Sequence, residues 1–375
     1  MRPIYLDHNA TTPLLPEVLD AMLPWLREHF GNPSSGHAYG RRAREAVDQA
    51  RARVAALLGC AADELVFTSG GTEASNLAIR GVAAARPGRR RLVTTAIEHP
   101  ATARPCAWLE GQGWSVARLG VDAGGRVRPD DAREALRGAA LLTVIHAHNE
   151  TGVIQPVDEL AALAREAGAL VHADAAQSLG KLPIDVAALG VDLLSVAGHK
   201  LHAPTGVGAL YVRRGVALEP LLLGAGHERG LRPGTENVAA IVGLGVACEL
   251  AGRDLERVAA RTRALRDRLH QLLAAGVPGL ALNGDRQRRL PNTLSVRLPG
   301  VSGAAVLAGA PEIAASTGSA CHDGHEVAPA AIVAMGVAPS DALGTVRLTL
   351  GRGTTDDDIS EAAAALVRAH AALVR

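Results

Sequence analysis

The sequence predicts an α/β fold, with a large, doubly wound, mostly parallel-sheet domain and a smaller α+β domain. Two observations lead to this prediction. Between about residues 60 and 215, short aliphatic runs alternate with helical patterns, and beyond residue 290 apolar and polar residues alternate. Continuous apolar runs are typical of strands buried on both faces of a parallel sheet, whereas alternation is typical of half-buried strands.

Six aliphatic runs are predicted to be strands of the large sheet: 65–68, 92–95, 141–145, 170–172, 193–196 and 207–212. A helix is predicted from about Asp158, as its N-cap, to Gly168 at its C-terminal end. Ligands of doubly wound sheets bind at the carboxyl ends of the strands, so functional residues are expected there.

The second part of the chain has a different organisation. A stretch rich in Ala, Leu and Arg, from about residue 238 to 275, has helical periodicity and is predicted to lead into it. Residues 292–297 and 346–350 alternate like half-buried strands, and a final helix is predicted after 354–356. We predict a large domain over 12–255 and a small domain from 1–11 and 256–375.

Composition excludes several classes of protein. Lys plus Arg number 39 against 38 Asp plus Glu, and this formal net charge of +1 argues against a nucleic-acid binder. Aromatic residues make up only 2%, too few for a base-stacking platform. No apolar run is long enough to span a membrane, and no secretory signal is visible at the start. Four widely separated cysteines fit a reducing cytoplasm, so a cytoplasmic enzyme is expected.

Lys200 directly follows an apolar strand, in the sequence Gly198-His199-Lys200. A solvated loop lysine is the ordinary explanation for such a residue. The following Gly- and Pro-containing segment 201–208, however, indicates a turn with one fixed path. A lysine at this end of a parallel sheet can form a Schiff base with an aldehyde cofactor.

A cofactor of the pyridoxal phosphate type needs three further groups. A carboxylate must keep its ring nitrogen protonated, and Asp174 ends the preceding strand. A phosphate site is offered by 68–74, a strand followed by glycines and a helix start, although such a turn can also be a simple cap. His99 can cover the ring face, although a lone histidine is often structural.

Five segments in this order resemble the class V aminotransferase-like family: 5–13, 30–35, 149–152, 198–200 and 232–237. Within that family the sequence is most similar to the cysteine desulfurases and the closely similar selenocysteine lyases. The resemblance extends over essentially the whole chain. It implies a fold-type I pyridoxal phosphate enzyme.

The resemblance also implies roles for the residues that hold the cofactor, pyridoxal 5'-phosphate. Lys200 would form the Schiff base, and Asp174 would pair with the ring nitrogen. Gln177 would donate to the phenolic oxygen, and His99 would stack on the ring. The remaining implied contacts are Asn149 with cofactor and substrate, Arg347 with the substrate carboxylate, Gly71, Thr72 and His199 with the phosphate, and Thr235 with the phosphate of a partner subunit in a homodimer.

One position departs from the desulfurase pattern. Cysteine desulfurases commonly have a phosphate-contacting serine where this sequence has Ala197. We therefore expect one phosphate hydrogen bond to be missing and the cofactor to bind somewhat more weakly. Selenocysteine lyases resemble this sequence in having an apolar residue there.

The four cysteines differ in their surroundings. Cys60, Cys106 and Cys248 lie in settings typical of packing residues. Cys321 lies in the small, polar segment 316–326, which is typical of an exposed loop. A zinc site built from Cys321 and the nearby histidines 322 and 325 is an unfavourable alternative, because no fourth ligand is evident. No metal is predicted.

The family resemblance places Cys321 as the nucleophile that accepts sulfur. L-Cysteine would be converted to L-alanine, leaving a persulfide on Cys321 for transfer to an acceptor protein that the sequence does not identify. The spelling Cys-His-x-x-His of the loop also resembles selenocysteine lyases, so L-selenocysteine is an alternative substrate. A non-catalytic scaffold for sulfur-assembly partners is a remote alternative, because the reactive residues are all present.

Overall fold

The computed structural model describes residues 3–318 and 327–374. Within them the strands are β1 (Ile4–Tyr5), β2 (Leu65–Thr68), β3 (Arg91–Thr95), β4 (Ser115–Leu119), β5 (Leu141–Ile145), β6 (Leu170–Asp174), β7 (Leu193–Ala197), β8 (Gly208–Val212), β9 (Ala281–Leu282), β10 (Thr293–Arg297), β11 (Ile313–Ala314) and β12 (Thr345–Thr349). Every residue of β2, β5, β6, β7 and β8 is buried, which accounts for their continuous apolar sequences.

The helices of the described residues surround these strands. They are α1 (Pro16–Arg27), α2 (Ala38–Leu58), α3 (Gly71–Ala85), α4 (Pro100–Gly111), α5 (Pro129–Ala135), α6 (Val157–Glu166), α7 (Val186–Leu189), α8 (Val238–Gly276), α9 (Gly303–Ala308), α10 (Ala330–Ala334), α11 (Pro339–Ala342) and α12 (Asp356–Leu373). Short 3-10 helices cover Ala62–Glu64, Gly198–Lys200 and His227–Gly230. No helix in this part of the chain has both the length and the apolar character needed to cross a membrane.

The central sheet has the strand order β2-β8-β7-β6-β5-β3-β4. All neighbouring pairs are parallel except those of β8, which is antiparallel to both β2 and β7. The predicted α/β class with a mostly parallel sheet is therefore confirmed. All six predicted aliphatic runs are strands of this sheet. The seventh, β4, was not predicted, because it is an edge strand with exposed residues at Ser115 and Arg118.

The predicted N-cap of α6 was wrong, although the helix begins within one residue of the predicted start. Its N-cap is Pro156, and Asp158 lies inside the first helical turn. The carboxylate of Asp158 still lies near the positive end of the helix dipole, which favours an acid there without any capping bond. The final helix was predicted correctly: Thr355 caps α12, and its hydroxyl accepts a hydrogen bond from Asp358 N at 3.1 Å.

Two large hydrophobic cores are joined by the long helix α8. The first core packs against the central sheet and includes Leu244 of α8. The second core lies between α12 and the antiparallel strands β9, β10 and β12, and includes Leu269 of α8. Between Leu250 and Thr262 no side chain of α8 is buried. The domain boundaries over 12–255, 1–11 and 256–375 remain a prediction.

Candidate functional site

A cleft of about 360 Å³ lies at the carboxyl ends of β5, β6 and β7. Its walls bring together nine of the residues predicted from the sequence: Gly71, Thr72, His99, Asn149, Asp174, Gln177, His199, Lys200 and Arg347. These residues come from four different strand ends, one helix start and the second core. The convergence follows from the parallel topology, which brings the ends of neighbouring strands to one edge of the sheet.

Lys200 lies in the short 3-10 helix that directly follows β7. Its Nζ donates hydrogen bonds to the main-chain oxygens of Asn9, at 2.6 Å, and Ala10, at 2.7 Å. Burial and the nearby Arg347 cation lower the pKa of Lys200 to about 8. Its amine can therefore gain or lose a proton near neutral pH, as a nucleophilic or basic lysine must.

Asp174 is the last residue of β6, which pairs with β7. Its side chain is buried, and Oδ1 accepts a hydrogen bond from Ala176 N at 2.9 Å. Burial raises the pKa of Asp174, and the neighbouring His99 and Lys200 oppose that rise. A cationic partner in the cleft, such as a protonated ring nitrogen, would therefore stabilise the carboxylate.

His99 is the N-cap of α4, where its Nδ1 accepts a hydrogen bond from Ala101 N at 3.1 Å. Burial lowers the pKa of His99, so the ring is neutral near pH 7. Because Nδ1 is an acceptor, the proton of the neutral ring is on Nε2. This fixes one tautomer of a planar ring in the cleft wall.

The N-terminus of α3 forms a backbone cradle at one end of the cleft. Gly71 and Thr72 open this 15-residue helix, and Gly70 before them has a φ of 149°, which favours glycine. A Cβ on Gly208 would lie 2.7 Å from Gly70 Cα, so glycine is required where β8 passes beneath the cradle. The free N–H groups of the first turn make such a helix start a phosphate site.

Arg347, on β12, brings the second core to the cleft. Its Nη2 donates to Asp7 Oδ1 at 2.7 Å and its Nη1 donates to Asn149 O at 3.2 Å. The side chain is only 6% exposed, and its Nε is buried with no hydrogen-bond partner. The guanidinium therefore has unused donor capacity, which a carboxylate can satisfy.

These groups fit pyridoxal 5'-phosphate. The cleft has backbone donors at the start of α3 for a phosphate, the acid Asp174 for a ring nitrogen, and the amine of Lys200 for an aldehyde carbon. His99 supplies a neutral ring and Gln177 an amide. The aminotransferase class-V family model matches residues 4–361 of the sequence.

This chain belongs to the class-V aminotransferase family. A cysteine desulfurase of Trichormus azollae is 45% identical over 362 residues, which cover 96% of this chain and 90% of the relative. Among solved structures, a NifS-like protein superposes with a TM-score of 0.91 and 35% identity, with both chains fully covered. SspA in complex with cysteine gives a TM-score of 0.82 and 34% identity, covering 92% of this chain and 98% of that one.

Other predicted residues of this class-V aminotransferase lie elsewhere. Thr235 lies outside the cleft, in a separate groove with Arg51 and Glu228. Cys321 lies outside the described residues, as do all of residues 319–326. Among the residues that the structure does describe, no group of three or more His, Cys, Asp or Glu could hold a metal ion.

Cys106 and Cys248 are buried, and Cys60 is half-buried. Burial raises the pKa of each of these three thiols to about 12. They are therefore protonated at neutral pH, and a protonated thiol is a poor nucleophile. These properties agree with the prediction that all three are packing residues.

Asn9 is a site residue that sequence reasoning missed. Its main-chain oxygen accepts hydrogen bonds from Lys200 and, at 2.9 Å, from Gln177 Nε2. Its Nδ2 donates to the main-chain oxygen of Asn149 at 3.1 Å. The segment 5–13 was recognised as a motif, and its run of polar residues between two apolar stretches was the available signal.

Glu98 was also missed, although it directly precedes His99. Its Oε1 accepts hydrogen bonds from Thr95 Oγ1, at 2.6 Å, and Ile145 N, at 2.9 Å, whereas Oε2 is buried without a partner. Burial and the negative charge of Asp174 raise the pKa of Glu98 to about 8. Glu98 is therefore a neutral acid at pH 7.

Proposed function

We propose that this chain is a pyridoxal phosphate-dependent cysteine desulfurase that acts on L-cysteine. The observation that supports this most strongly is the placement of Lys200 and Asp174 in one cleft, with the start of α3 and Arg347 on its other walls. The named relatives and the solved NifS-like structure support the same activity.

Pyridoxal phosphate, when bound, supplies an electron sink for the charge released at the substrate Cα. Lys200 is the group that holds the aldehyde carbon and that can take the Cα proton, because the pKa of its amine lies near 8. Asp174 stabilises positive charge on the ring nitrogen from its buried position. Gly71 and Thr72 hold the phosphate with donors of the first turn of α3.

Arg347 and Asn149 bind the substrate carboxylate. Without substrate, the Arg347 guanidinium forms an ion pair with Asp7 and donates a hydrogen bond to the main-chain oxygen of Asn149. The substrate carboxylate would use the guanidinium donors that face the cleft. Arginine suits this role because its donors match the two carboxylate oxygens.

Cys321 takes the sulfur. Its thiolate attacks the sulfur of L-cysteine, the S–S bond forms, and the carbon–sulfur bond breaks with its electrons left on carbon. Protonation of that carbon gives L-alanine, and the enzyme keeps a persulfide. No external oxidant or reductant is needed. The transferred sulfur is oxidised when it becomes the outer sulfur of the persulfide, and the substrate carbon that loses it is reduced by the same two electrons.

The active form is a homodimer, in which Thr235 completes the phosphate site of the partner subunit. The position of Thr235 outside its own chain's cleft supports this proposal. The persulfide passes from Cys321 to an acceptor protein. A reducing cytoplasm is the compartment that keeps such thiols free.

Two cysteine variants test this function. Cys321→Ala should retain the cofactor and produce almost no alanine from L-cysteine, whereas Cys60→Ala, a matched control, should keep the wild-type rate. Mass spectrometry of the wild type after L-cysteine should find one added sulfur on the peptide with Cys321. Alanine formation by Cys321→Ala at the wild-type rate contradicts the persulfide mechanism. Activity of Cys321→Ala on L-selenocysteine alone agrees with the desulfurase, because the weaker carbon–selenium bond can break without a positioned thiolate.

A further inference from the structure

The use of lysine in this chain is highly selective. Of the 39 Lys and Arg residues, 37 are arginine and only two, Lys181 and Lys200, are lysine. Lys200 has the nucleophilic role proposed above, which no guanidinium can fill. Lys181 is therefore the one other lysine of the sequence, and it lies next to the same site.

Lys181 follows Gln177 by four residues and lies behind the cleft. Its Nζ donates to Gln177 Oε1 at 2.9 Å and to Asn9 Oδ1 at 3.3 Å. Gln177 Nε2 donates one hydrogen to Asn9 O at 2.9 Å, and Gln177 is 4% exposed and lines the cleft. Lys181 itself lines a rear cavity of about 50 Å³, and Lys200 lines both this cavity and the cleft.

We propose that Lys181 is a positioning residue that fixes the orientation of the Gln177 amide and so directs an N–H donor into the cleft. The two ends of a glutamine amide have nearly the same shape, so packing alone does not select one orientation. Two contacts select it: Asn9 O accepts from Nε2, and Lys181 Nζ donates to Oε1. A flipped amide would place oxygen against oxygen at Asn9 and N–H groups against N–H groups at Lys181.

Lysine suits this position better than arginine. Burial and the neighbouring Lys200 lower the pKa of Lys181 to about 7, and the amine donates hydrogen bonds in both protonation states. One small nitrogen reaches both Gln177 and Asn9, whereas a planar guanidinium would need more space and would remain charged. The inference rests on the proposed function only in naming what Gln177 faces, the phenolic oxygen of the cofactor.

The test compares the holoproteins of Lys181→Met, Gln177→Met and the double variant. The readout is the visible absorption band of bound pyridoxal phosphate and the pH midpoint of its titration. Each single variant should move the midpoint in the same direction by about half to one pH unit, the size expected for one hydrogen bond. The double variant should move it no further than Gln177→Met does. Arg352→Met, which removes another cation of the rear cavity, should leave the midpoint unchanged.

A second readout does not need the cofactor. The chain has six glutamines, so selective ¹⁵N labelling resolves the side-chain amide signals, and Gln177→Met identifies the pair that belongs to Gln177. Lys181→Met should shift or average this pair, while Arg352→Met should not. Should Lys181→Met fail to fold, Lys181→Leu removes the same donors.

The results separate this inference from the proposed function. Unchanged Gln177 signals in Lys181→Met overturn the positioning role, as do single-variant midpoint shifts that add fully in the double variant. A wild type that forms no visible band with pyridoxal phosphate overturns the proposed function instead, and the amide signals then still decide the role of Lys181.

Discussion

Glu98→Gln should stabilise the protein, and increasingly so as the pH rises. The pKa of Glu98 lies near 8 in the folded protein, raised chiefly by burial from an ordinary value of 4.5. The unfolded chain therefore releases this proton several pH units earlier than the folded one. An acid whose pKa is raised in the folded state costs no stability below its unfolded pKa. Above that pKa it destabilises the folded state progressively, until the pH reaches the folded pKa near 8.

The magnitude follows from these two pKa values. The cost of keeping Glu98 protonated in the folded state is about 2 kcal/mol at pH 6 and about 4 kcal/mol at pH 8, at 1.36 kcal/mol per pKa unit. Glutamine copies the protonated acid and can accept the same two hydrogen bonds from Thr95 and Ile145. The stability advantage of Glu98→Gln should therefore grow by about 2 kcal/mol between pH 6 and pH 8.

Urea unfolding of both proteins at the two pH values, with equal cofactor, measures this difference. Glu110→Gln, on the same helix α4, is the control, because Arg118 holds the pKa of that exposed carboxyl below its usual range. The difference in unfolding free energy between Glu110→Gln and the wild type should be the same at pH 6 and pH 8. An advantage of Glu98→Gln that stays constant or shrinks towards pH 8 would refute the reasoning, because it would mean that Glu98 is ionised in the folded protein.

Four further outcomes are expected. Lys200→Ala should abolish the visible band of bound pyridoxal phosphate, measured by absorbance, and a normal band would contradict its assignment. Ala197→Ser should tighten cofactor binding about fivefold in equilibrium titration, the effect of one added hydrogen bond beside Gly71; weaker binding would contradict the proposed phosphate position. Arg347→Lys should raise the KM for L-cysteine about tenfold or more in steady-state kinetics, with a smaller change in kcat, because lysine cannot bind a carboxylate bidentately. Light scattering should show a dimer, and a fully active monomer would contradict the role given to Thr235.

The strands of the central sheet were predictable because burial on both faces leaves a continuous apolar sequence. The direction of β8 was not included in that prediction, because an apolar run has no polarity of its own. The connection from Ala197 to Gly208 nevertheless indicates an antiparallel β8, because its ten intervening residues are fewer than a parallel crossover usually needs. Edge strand β4 was missed because its exposed residues interrupt the apolar signal.

Some residues of the cleft were predictable from the sequence, and others were not. Lys200 and Asp174 directly follow or end apolar strands, so topology alone places them together. Asn9 acts through contacts with residues more than 100 positions away, so the polar run of 5–13 marks its segment but does not show which residues it contacts. The neutrality of Glu98 depends on burial beneath the cleft, a property of the folded packing and not of its sequence neighbours.

The long helix α8 has a mechanical consequence for substrate recognition. Lys200 is attached to the sheet of the first core, whereas Arg347 is attached to the second, and α8 runs through both as a rod about 58 Å long at 1.5 Å per residue. The midsection of α8, between Leu250 and Thr262, buries no side chain, but Arg261 donates to the main-chain oxygens of Arg352 and Thr354. The spacing between Lys200 and Arg347 is therefore set by α8 together with the amino-terminal segment, where Asn9 O accepts from Lys200 and Asp7 accepts from Arg347.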